Sequence, residues 1–436
     1  MEIKKNNKIL IVGTIPYNTK DSSRALDAYF HYWDKDCIAQ IFSDSKTPVK
    51  GHCGSLFQIT DYRLLQRWKG NHIETGVIYN YADLPESTES ERRIDEKASA
   101  NNAYKFGAKH SPLTHLLRGL LWRKKYWCTD KLNKWLEEFQ PECVFVCSSD
   151  DYFINRIALY VSEKFQIPIV TAISDDYIFN YHFSLNPLYL LYKKTYINLV
   201  KKLYTAPNSA IYISDKIRDK YNSEFGMTGE TVYLTSTTKR KDFGIVSKEY
   251  PLITYFGNIR MGRNHSLNEI GFALGQINPK YKLEVYSGEN DPAYYGVFDN
   301  NPNVVYGGTI PYQLVQEKMA KSDITVIVEG FKDEDIDCSR YSLSTKAADA
   351  LASGATILTY GSPECGIIEY MQSTGASFVC TEKALLVDTI IQMFERTDLQ
   401  REYYDQQIVM TREHHNIEAS SATVERIIKN TIAHGK

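Results

Sequence analysis

The chain has 436 residues, of which 43% are hydrophobic and 24% are charged, and its formal net charge is −2. This length exceeds what a single hydrophobic core usually supports, so two or three domains are expected. The near-neutral charge argues against a dedicated nucleic-acid binder, which would carry an excess of basic residues.

The first half of the chain predicts strands that alternate with helices. A short apolar run typical of a buried parallel strand lies at residues 8–13, and further strands are predicted at 38–42, 55–59, 143–147, 168–173 and 210–214. Helices are predicted from about Arg24 and at residues 116–139, 152–165, 193–204 and 215–225. The polar stretch 74–101 is predicted as a loop or an exposed helix. The alternation indicates a doubly wound α/β domain.

A polar linker at 235–251 precedes a second alternation. Its predicted strands lie at 252–256, 281–286, 303–306, 323–328, 356–359 and 376–379, and its helices at 266–274, 311–321, 345–352, 366–373 and within 383–434. The predicted fold class is α/β, with two Rossmann-like doubly wound domains facing across a cleft. We expect limits of 1–245 and 246–410, with 411–436 forming a helix that packs back on the first domain.

Ligands of such sheets bind beyond the carboxyl ends of the strands. In the first half, Asp151 and Asp176 follow strands there, and either they act on an acceptor hydroxyl as catalytic groups or they cap helices. Ser22, Ser23 and Arg24 precede or begin a helix. They either contact a diphosphate or serve as an ordinary helix cap.

In the second half, the stretch YFGNIRMGRNHSL (255–267) ends a strand at Gly257 and Asn258 and then carries Arg260 and Arg263. A turn from a strand into a helix collects anions through backbone amides and the helix N-terminus. The alternative is a surface turn with solvated arginines.

The stretch SRYSLSTKAADALASGATIL (339–358) places Ser344 and Thr345 before a helix and Lys346 in its first turn. Hydroxyls, amide groups and a lysine at one helix N-terminus suit a pyrophosphate. Asp349, one turn later, is placed to accept hydrogen bonds from a ribose. The alternative is a capped helix with a solvent-exposed lysine.

The stretch 339–358 resembles the donor-nucleotide motif of family-4-like glycosyltransferases with the GT-B fold. Lys346 and the run 352–354 match that motif, and Asp349 replaces its glutamate. The turn at 257–263 is similar to the family's G-R-x-x-x-x-K-G turn. Gly257 matches its glycine and Arg263 replaces its lysine. Asn258 stands in the place of its arginine, and Arg260 is expected to supply the missing charge.

The resemblance extends to residues 302–315, whose backbone lies near the base in that family, and implies that Ile310 and Gly288 contact the donor. Glu329, in the sequence Glu-Gly-Phe, corresponds to a displaced acidic piece of the motif and is expected to lie near the transferred sugar as a catalytic group. The family's histidine after a first-domain strand is absent, and residues 148–151 stand there instead.

The resemblance implies transfer of a sugar from a UDP- or GDP-sugar to a saccharide or lipid-linked acceptor, with retention, in surface polysaccharide or glycoconjugate synthesis. Beyond this co-substrate it implies no cofactor and no metal, and the acidic run 333–337 is predicted to be a solvated loop. A sugar-nucleotide epimerase and a non-enzymatic sugar-binding protein are the alternatives. A dinucleotide oxidoreductase is disfavoured, because no G-x-G-x-x-G follows either first strand.

Two stretches, 116–127 and 188–204, are basic, aromatic and amphipathic. They predict contact with an anionic membrane surface, or else helices with a buried apolar face and solvated lysines. No apolar run is long enough to cross a bilayer and no signal peptide is visible. The eight scattered cysteines are interpreted as reduced thiols. We therefore expect a cytoplasmic protein, located at the inner face of the cell membrane if these stretches bind it.

Overall fold

A computed structural model of the chain describes residues 6–17, 24–86, 111–179, 185–205 and 207–435. The chain forms two compact units, one of residues 1–232 and 421–436 and the other of residues 233–420. The expected limits were 245/246 and 410/411. The division instead falls at 232/233 because residues 233–241 bond to the second unit, where Lys241 N donates to Ser353 O.

The first unit contains an eight-stranded sheet with the order β4-β3-β2-β1-β5-β6-β7-β8. Its strands are β1 (Ile9–Val12), β2 (Ile38–Phe42), β3 (Ser55–Ile59), β4 (Gly76–Asn80), β5 (Cys143–Cys147), β6 (Ile169–Ile173), β7 (Ser209–Tyr212) and β8 (Glu230–Thr231). Neighbouring strands are parallel except for β3 and β4, which are antiparallel.

Helices connect these strands. They are α1 (Arg24–Phe30), α2 (Asp61–Trp68), α3 (Pro112–Leu121), α4 (Lys124–Trp127), α5 (Asp130–Phe139), α6 (Tyr152–Phe165), α7 (Pro187–Leu203) and α8 (Asp215–Phe225). Several begin at a hydroxyl that accepts from a first-turn amide, as Thr60, Thr129 and Ser214 do.

The second unit contains a parallel six-stranded sheet with the order β11-β10-β9-β12-β13-β14. Its strands are β9 (Ile253–Phe256), β10 (Leu283–Tyr286), β11 (Val304–Gly308), β12 (Ile324–Val328), β13 (Thr356–Tyr360) and β14 (Phe378–Cys380). Its helices are α9 (Arg263–Ile277), α10 (Pro292–Tyr295), α11 (Tyr312–Lys321), α12 (Asp333–Ser339), α13 (Lys346–Ser353), α14 (Gly366–Thr374), α15 (Leu386–Glu395) and α16 (Thr397–Glu413).

The last helix, α17 (Ile417–Gly435), begins in the second unit and ends in the first. Within the first unit Arg426 of α17 forms an ion pair with Glu230 at 2.6 Å. No helix in the described ranges is both long and apolar enough to span a bilayer.

Each unit has its own core between sheet and helices. Central strands β1, β9 and β12 are buried along their whole length, and β5 is buried except at Cys147, as their mainly apolar sequences predict. Because the strands are parallel, the carboxyl ends of β9, β10, β12 and β13 meet at one edge of the second sheet. Side chains that follow these strands therefore lie close together.

Three predictions for the elements were wrong. The single helix at 116–139 is three helices, because the first helix ends at Trp122 and Thr129 caps a new one. The stretch 74–101 contains the edge strand β4, whose apolar run at 76–79 is short and lies in an otherwise polar stretch. The acidic run 333–337 forms helix α12 with Asp335 buried, because carboxylates are favourable in the first turn of a helix.

Candidate functional site

Gly257, at the end of β9, lies against the side chain of Lys346. Its φ is +136°, and a Cβ built there would be 2.2 Å from Lys346 Cε and 2.9 Å from Nζ. Any side chain would therefore displace the lysine. The turn continues through Met261 and Gly262, both in the left-handed region with φ of +56° and +70°, which places Arg263 at the start of α9. The structure thus brings Gly257, Arg263 and Lys346 together, although they lie far apart in sequence.

The Lys346 ammonium donates to the Tyr255 hydroxyl at 2.7 Å, and that hydroxyl donates to Asn258 O at 2.5 Å. Loss of hydration and the neighbouring Arg263 charge lower the pKa of Lys346 to about 7. Within the described part of the chain Lys346 forms no ion pair with a carboxylate. The carboxylate that acts on its charge, that of Glu329, is already bound to Arg263, so the pair of cations favours an anion beside it.

Arg263 and Glu329 form a buried bidentate ion pair. Nε and Nη2 of Arg263 each donate to one Glu329 oxygen at 2.9 Å, and the two residues are 8% and 2% exposed. The remaining nitrogen, Nη1, has no hydrogen-bond partner among the described residues. Both predicted residues thus lie in the site, where the carboxylate of Glu329, at the end of β12, holds the guanidinium in place.

Asp349 lies one helical turn after Lys346 on α13 and is buried. Its Oδ1 accepts from the Ser236 hydroxyl at 2.6 Å, and the Tyr312 hydroxyl is 3.5 Å away. Its predicted role as a ribose acceptor remains a prediction. The carboxylate already accepts hydroxyl hydrogen bonds, which is the chemistry that role requires.

The other predicted residues of this edge are more exposed. Gly288 and Ile310 follow the neighbouring strands β10 and β11, whose ends are joined by a bond from Ser287 N to Gly308 O. Ser344 accepts from Lys346 N at 3.3 Å, and Thr345 begins α13 without a side-chain cap.

Arg260 differs from Arg263, although the sequence predicted that both would face one anion. It is exposed and pairs with Glu289, while its amide donates to Asn258 Oδ1 at 2.7 Å. The pairing with Glu289 compensates its charge.

In the first unit, Asp151 belongs to a charged cluster at the end of β5. Arg118 of α3 donates to Asp151 and, at 3.1 Å, to Asp61. His115 Nε2 lies 3.6 Å from Asp150 Oδ2 and Nδ1 lies 4.0 Å from Asp151 Oδ1. Burial raises the pKa of Asp151 to about 6, despite Arg118.

The other first-unit predictions fall elsewhere. Oδ1 of Asp176 accepts from Ile178 N, Phe179 N and the Tyr221 hydroxyl, so this oxygen shapes its own turn. Arg24 begins α1 near Asp27, whereas Ser22 and Ser23 lie outside the described residues.

Sequence reasoning missed Tyr255 and Arg118, and it favoured a structural role for His115 over a functional one. The only available signal was the position of Tyr255 at a strand end, because Arg118 and His115 lie within a helix whose partners come from other elements.

Models of known protein families and curated proteins give no match to this chain. Solved structures do. TarM of S. aureus has 10% identity over 98% of this chain and 100% of its own, with a TM-score of 0.60. HepE of Anabaena, solved in complex with UDP, has 11% identity over 97% and 99% of the two chains and a TM-score of 0.59.

A third similar structure is a sucrose-phosphate synthase from Thermosynechococcus elongatus, with 10% identity over 98% and 99% of the chains and a TM-score of 0.58. Likeness over nearly the whole of each chain at such low identity shows a shared fold. The predicted fold class, two Rossmann-like α/β domains of the GT-B type, is therefore confirmed.

Proposed function

We propose that this chain is a glycosyltransferase that moves a sugar from a nucleotide diphosphate sugar to a saccharide or lipid-linked saccharide acceptor, with retention. The observation that carries the proposal is the pair of cations beside Gly257, where Lys346 has no carboxylate partner within the described residues and Arg263 has one unbonded nitrogen. Structures of the same fold support it, since HepE has been solved with UDP and with UDP-glucose.

In this proposal the diphosphate binds between Lys346, Arg263 Nη1 and the amides at the start of α13. The bond between the anomeric carbon and the diphosphate oxygen breaks, and the acceptor oxygen bonds to the same face of that carbon. The acceptor proton passes to the departing diphosphate. The two cations stabilise the negative charge that develops on the leaving group, which is the main task of such a site.

The neighbouring residues have supporting roles. Glu329 positions Arg263 through its two hydrogen bonds, and Asp349 receives the ribose hydroxyls in place of Ser236. Gly288 and Ile310 lie beside the nucleobase of the donor, and Ser344 and Thr345 lie beside its phosphates. The first unit supplies the acceptor site, with Asp151 as the candidate hydrogen-bond acceptor and Asp176 shaping the loop beside it. The nucleotide sugar, UDP- or GDP-linked, is the only co-substrate proposed.

An anionic membrane surface is proposed as the location of the acceptor. Leu113, Leu117 and Leu120 repeat along one face of α3 and are 45%, 44% and 48% exposed. Helix α7, which packs against α3, exposes Leu188 and Leu191. Exposed apolar stripes next to basic residues, here 123–125, are typical of helices that lie on anionic lipid.

The membrane part is tested by sedimentation with anionic and neutral vesicles. We expect the wild type to sediment only with anionic vesicles, and the variant L113S/L117S/L120S to stay in solution. L385S, which changes an equally exposed leucine of the second unit, is the control. Equal sedimentation of both variants would contradict this part alone.

The donor site is tested by calorimetry with UDP and GDP and by transfer assays with UDP- and GDP-sugars. Lys346→Met is expected to lower kcat/KM about 100- to 1,000-fold, because one preorganised cation is lost from a desolvated site. Lys321→Met, at the exposed end of α11, is the matched control and should match the wild type. The proposal fails if neither UDP nor GDP binds the wild type. It also fails if both nucleotides bind K346M with the same affinity as the wild type.

A further inference from the structure

A pocket of about 340 Å³ lies in the second unit, and its wall includes neither the turn at 257–263 nor Lys346. Its wall comes from residues 235–240, just after the chain enters this unit, and from residues 408–418, just before it leaves. The volume suits a small metabolite. The pocket adjoins the site proposed above at one residue, because Ser236 of its wall donates to Asp349 at 2.6 Å.

Arg240 is the first indication of its ligand. Nη2 donates to Leu351 O at 2.6 Å and to Thr411 Oγ1 at 2.9 Å, which fixes the guanidinium in the wall. Nη1 is shielded from solvent and has no hydrogen-bond partner among the described residues. Burial lowers the pKa of Arg240, and no carboxylate is among the groups that offset this effect. A partly buried cation without a counter-charge is costly, and an anion beside it relieves that cost.

The rest of the wall fits an oxyanion. Arg412, which is mostly exposed and lies 3.3 Å from Glu413 outside the wall, adds a second guanidinium. Thr235, Ser236 and Thr411 add hydroxyl groups, of which Ser236 donates to Asp349 and Thr411 donates to Gln407 O in the ligand-free protein. Helix α17 begins at Ile417 in the wall, so the positive end of its dipole is also there. The one carboxylate in the wall, Glu418, leaves it with a net positive charge.

We propose that this pocket binds a small phosphate-bearing metabolite, with Arg240 and Arg412 as the principal donors to the phosphate group. The binding involves no covalent step. A ligand there joins residues 235–240 to the segment 408–418, the two stretches beside the passages of the chain between the units.

The test is isothermal titration of the full chain with inorganic phosphate at constant ionic strength. It is done in the Lys346→Met background, so that phosphate bound near Gly257 contributes little. We expect saturable binding that Arg412→Gln weakens about tenfold, as the loss of a charge-assisted hydrogen bond should. Glu418→Gln should tighten binding about threefold by removing a like charge.

Arg401→Gln is the matched control, since it removes an exposed arginine of the same helix α16 that is absent from the pocket wall. It should bind as the background does. If the variant Arg240→Gln folds, it should not bind phosphate. If it does not fold, the phosphate affinities of R412Q and E418Q test the proposal instead. The proposal is overturned if the background does not bind phosphate, or if both R412Q and E418Q bind it with unchanged affinity. Neither result would affect the proposed transferase, because the donor site is tested with different variants and ligands.

Discussion

Each unit places an arginine guanidinium among charged groups at the end of a central strand. The balance of positive and negative charge around the arginine is opposite in the two units. In the second unit, Arg263 and Lys346 share one close carboxylate, Glu329. In the first unit, Arg118 pairs with both Asp61 and Asp151, and Asp150 lies next to His115. Around these arginines, the edge of the second sheet has more positive than negative groups, and the edge of the first sheet has more negative than positive groups.

This difference assigns a ligand class to each edge. Surplus cations out of water suit a diphosphate, whereas surplus carboxylates suit the hydroxyl groups of a saccharide and repel phosphates. Under the proposed function, the same α/β architecture would serve two kinds of ligand through the residues that follow its strands. The predictions below test whether the two edges differ in this way.

The largest expected effect comes from removing the arginine of each cluster. Arg263→Met leaves Glu329 buried without a partner, so we expect the free energy of unfolding to fall by about 3–5 kcal/mol in urea titrations. Arg118→Met should cost less, because Asp61 is 40% exposed and can be hydrated. The double variant R263M/E329M should recover part of the loss. A double variant less stable than R263M would show that the ion pair is not its source.

The sequence predicted the members of the second-unit site better than their roles. Gly257, Arg263 and Lys346 were each expected near one anion because each follows or begins a regular element at a known position. The pairing of Arg263 with Glu329 spans 66 residues and depends on β9 lying beside β12. The order of strands in a sheet is not encoded in any short stretch of sequence. The ion-pair partner of a charged residue therefore cannot be predicted from the residues next to it in sequence.

The second prediction concerns the effect of pH on Lys346. The pKa of its ammonium group is about 7 in the folded protein, whereas the ordinary value for a lysine is 10.5. Nucleotide binding requires the ammonium form, so affinity should fall as pH rises from 7 to 9, by up to about tenfold per unit. Calorimetry in two buffers should show proton uptake on binding near pH 8. K321M should keep both effects and K346M should lose them.

Stability should show the opposite trend in the ligand-free protein. Between pH 7 and 10.5 the unfolded chain binds more protons at Lys346 than the folded chain, so this residue's contribution to stability rises with pH in that window. Comparing the wild type with K346M in urea isolates that slope. A wild type and a K346M variant with identical pH dependence would contradict the lowered pKa.

The third prediction separates acceptor from donor. Asp151→Asn removes one negative charge from the first-unit cluster, so kcat/KM for the acceptor should fall about tenfold or more while UDP affinity stays within about twofold. Because the pKa of Asp151 is about 6, wild-type acceptor activity should decline as pH falls through 6, and that of D151N should not. Asp130→Asn, which changes an exposed aspartate in the first turn of α5, is the control and should leave acceptor kinetics unchanged. If D151N lost UDP affinity as well as activity toward the acceptor, the two edges would not differ in the ligand that they bind.

The fold itself was largely predictable, and the exceptions are informative. Strands β2, β3 and β5 were predicted to the residue, since strands buried on both faces are mainly apolar, and the polar residues Gln40 and Gln58 interrupt β2 and β3 only once each between apolar residues. Strand β4 was missed because its short apolar run borders a long polar stretch, and an edge strand is only half-buried. The first-unit cluster was predicted only at Asp151, because Arg118 and His115 reach it from helix α3, whose packing is a tertiary property.

The smallest expected effect is that of Arg260→Gln, and it tests the contrast within a single turn. Arg260 lies three residues from Arg263, and the sequence alone gave both the same role. In the structure Arg260 is exposed and pairs with Glu289 at the surface, an arrangement that contributes little to stability. We therefore expect an unchanged urea midpoint and at most about a threefold loss of UDP affinity that disappears at high salt. A loss as large as that of K346M would mean that Arg260 leaves Glu289 to bind the diphosphate, and that the anion site extends to the exposed side of the turn.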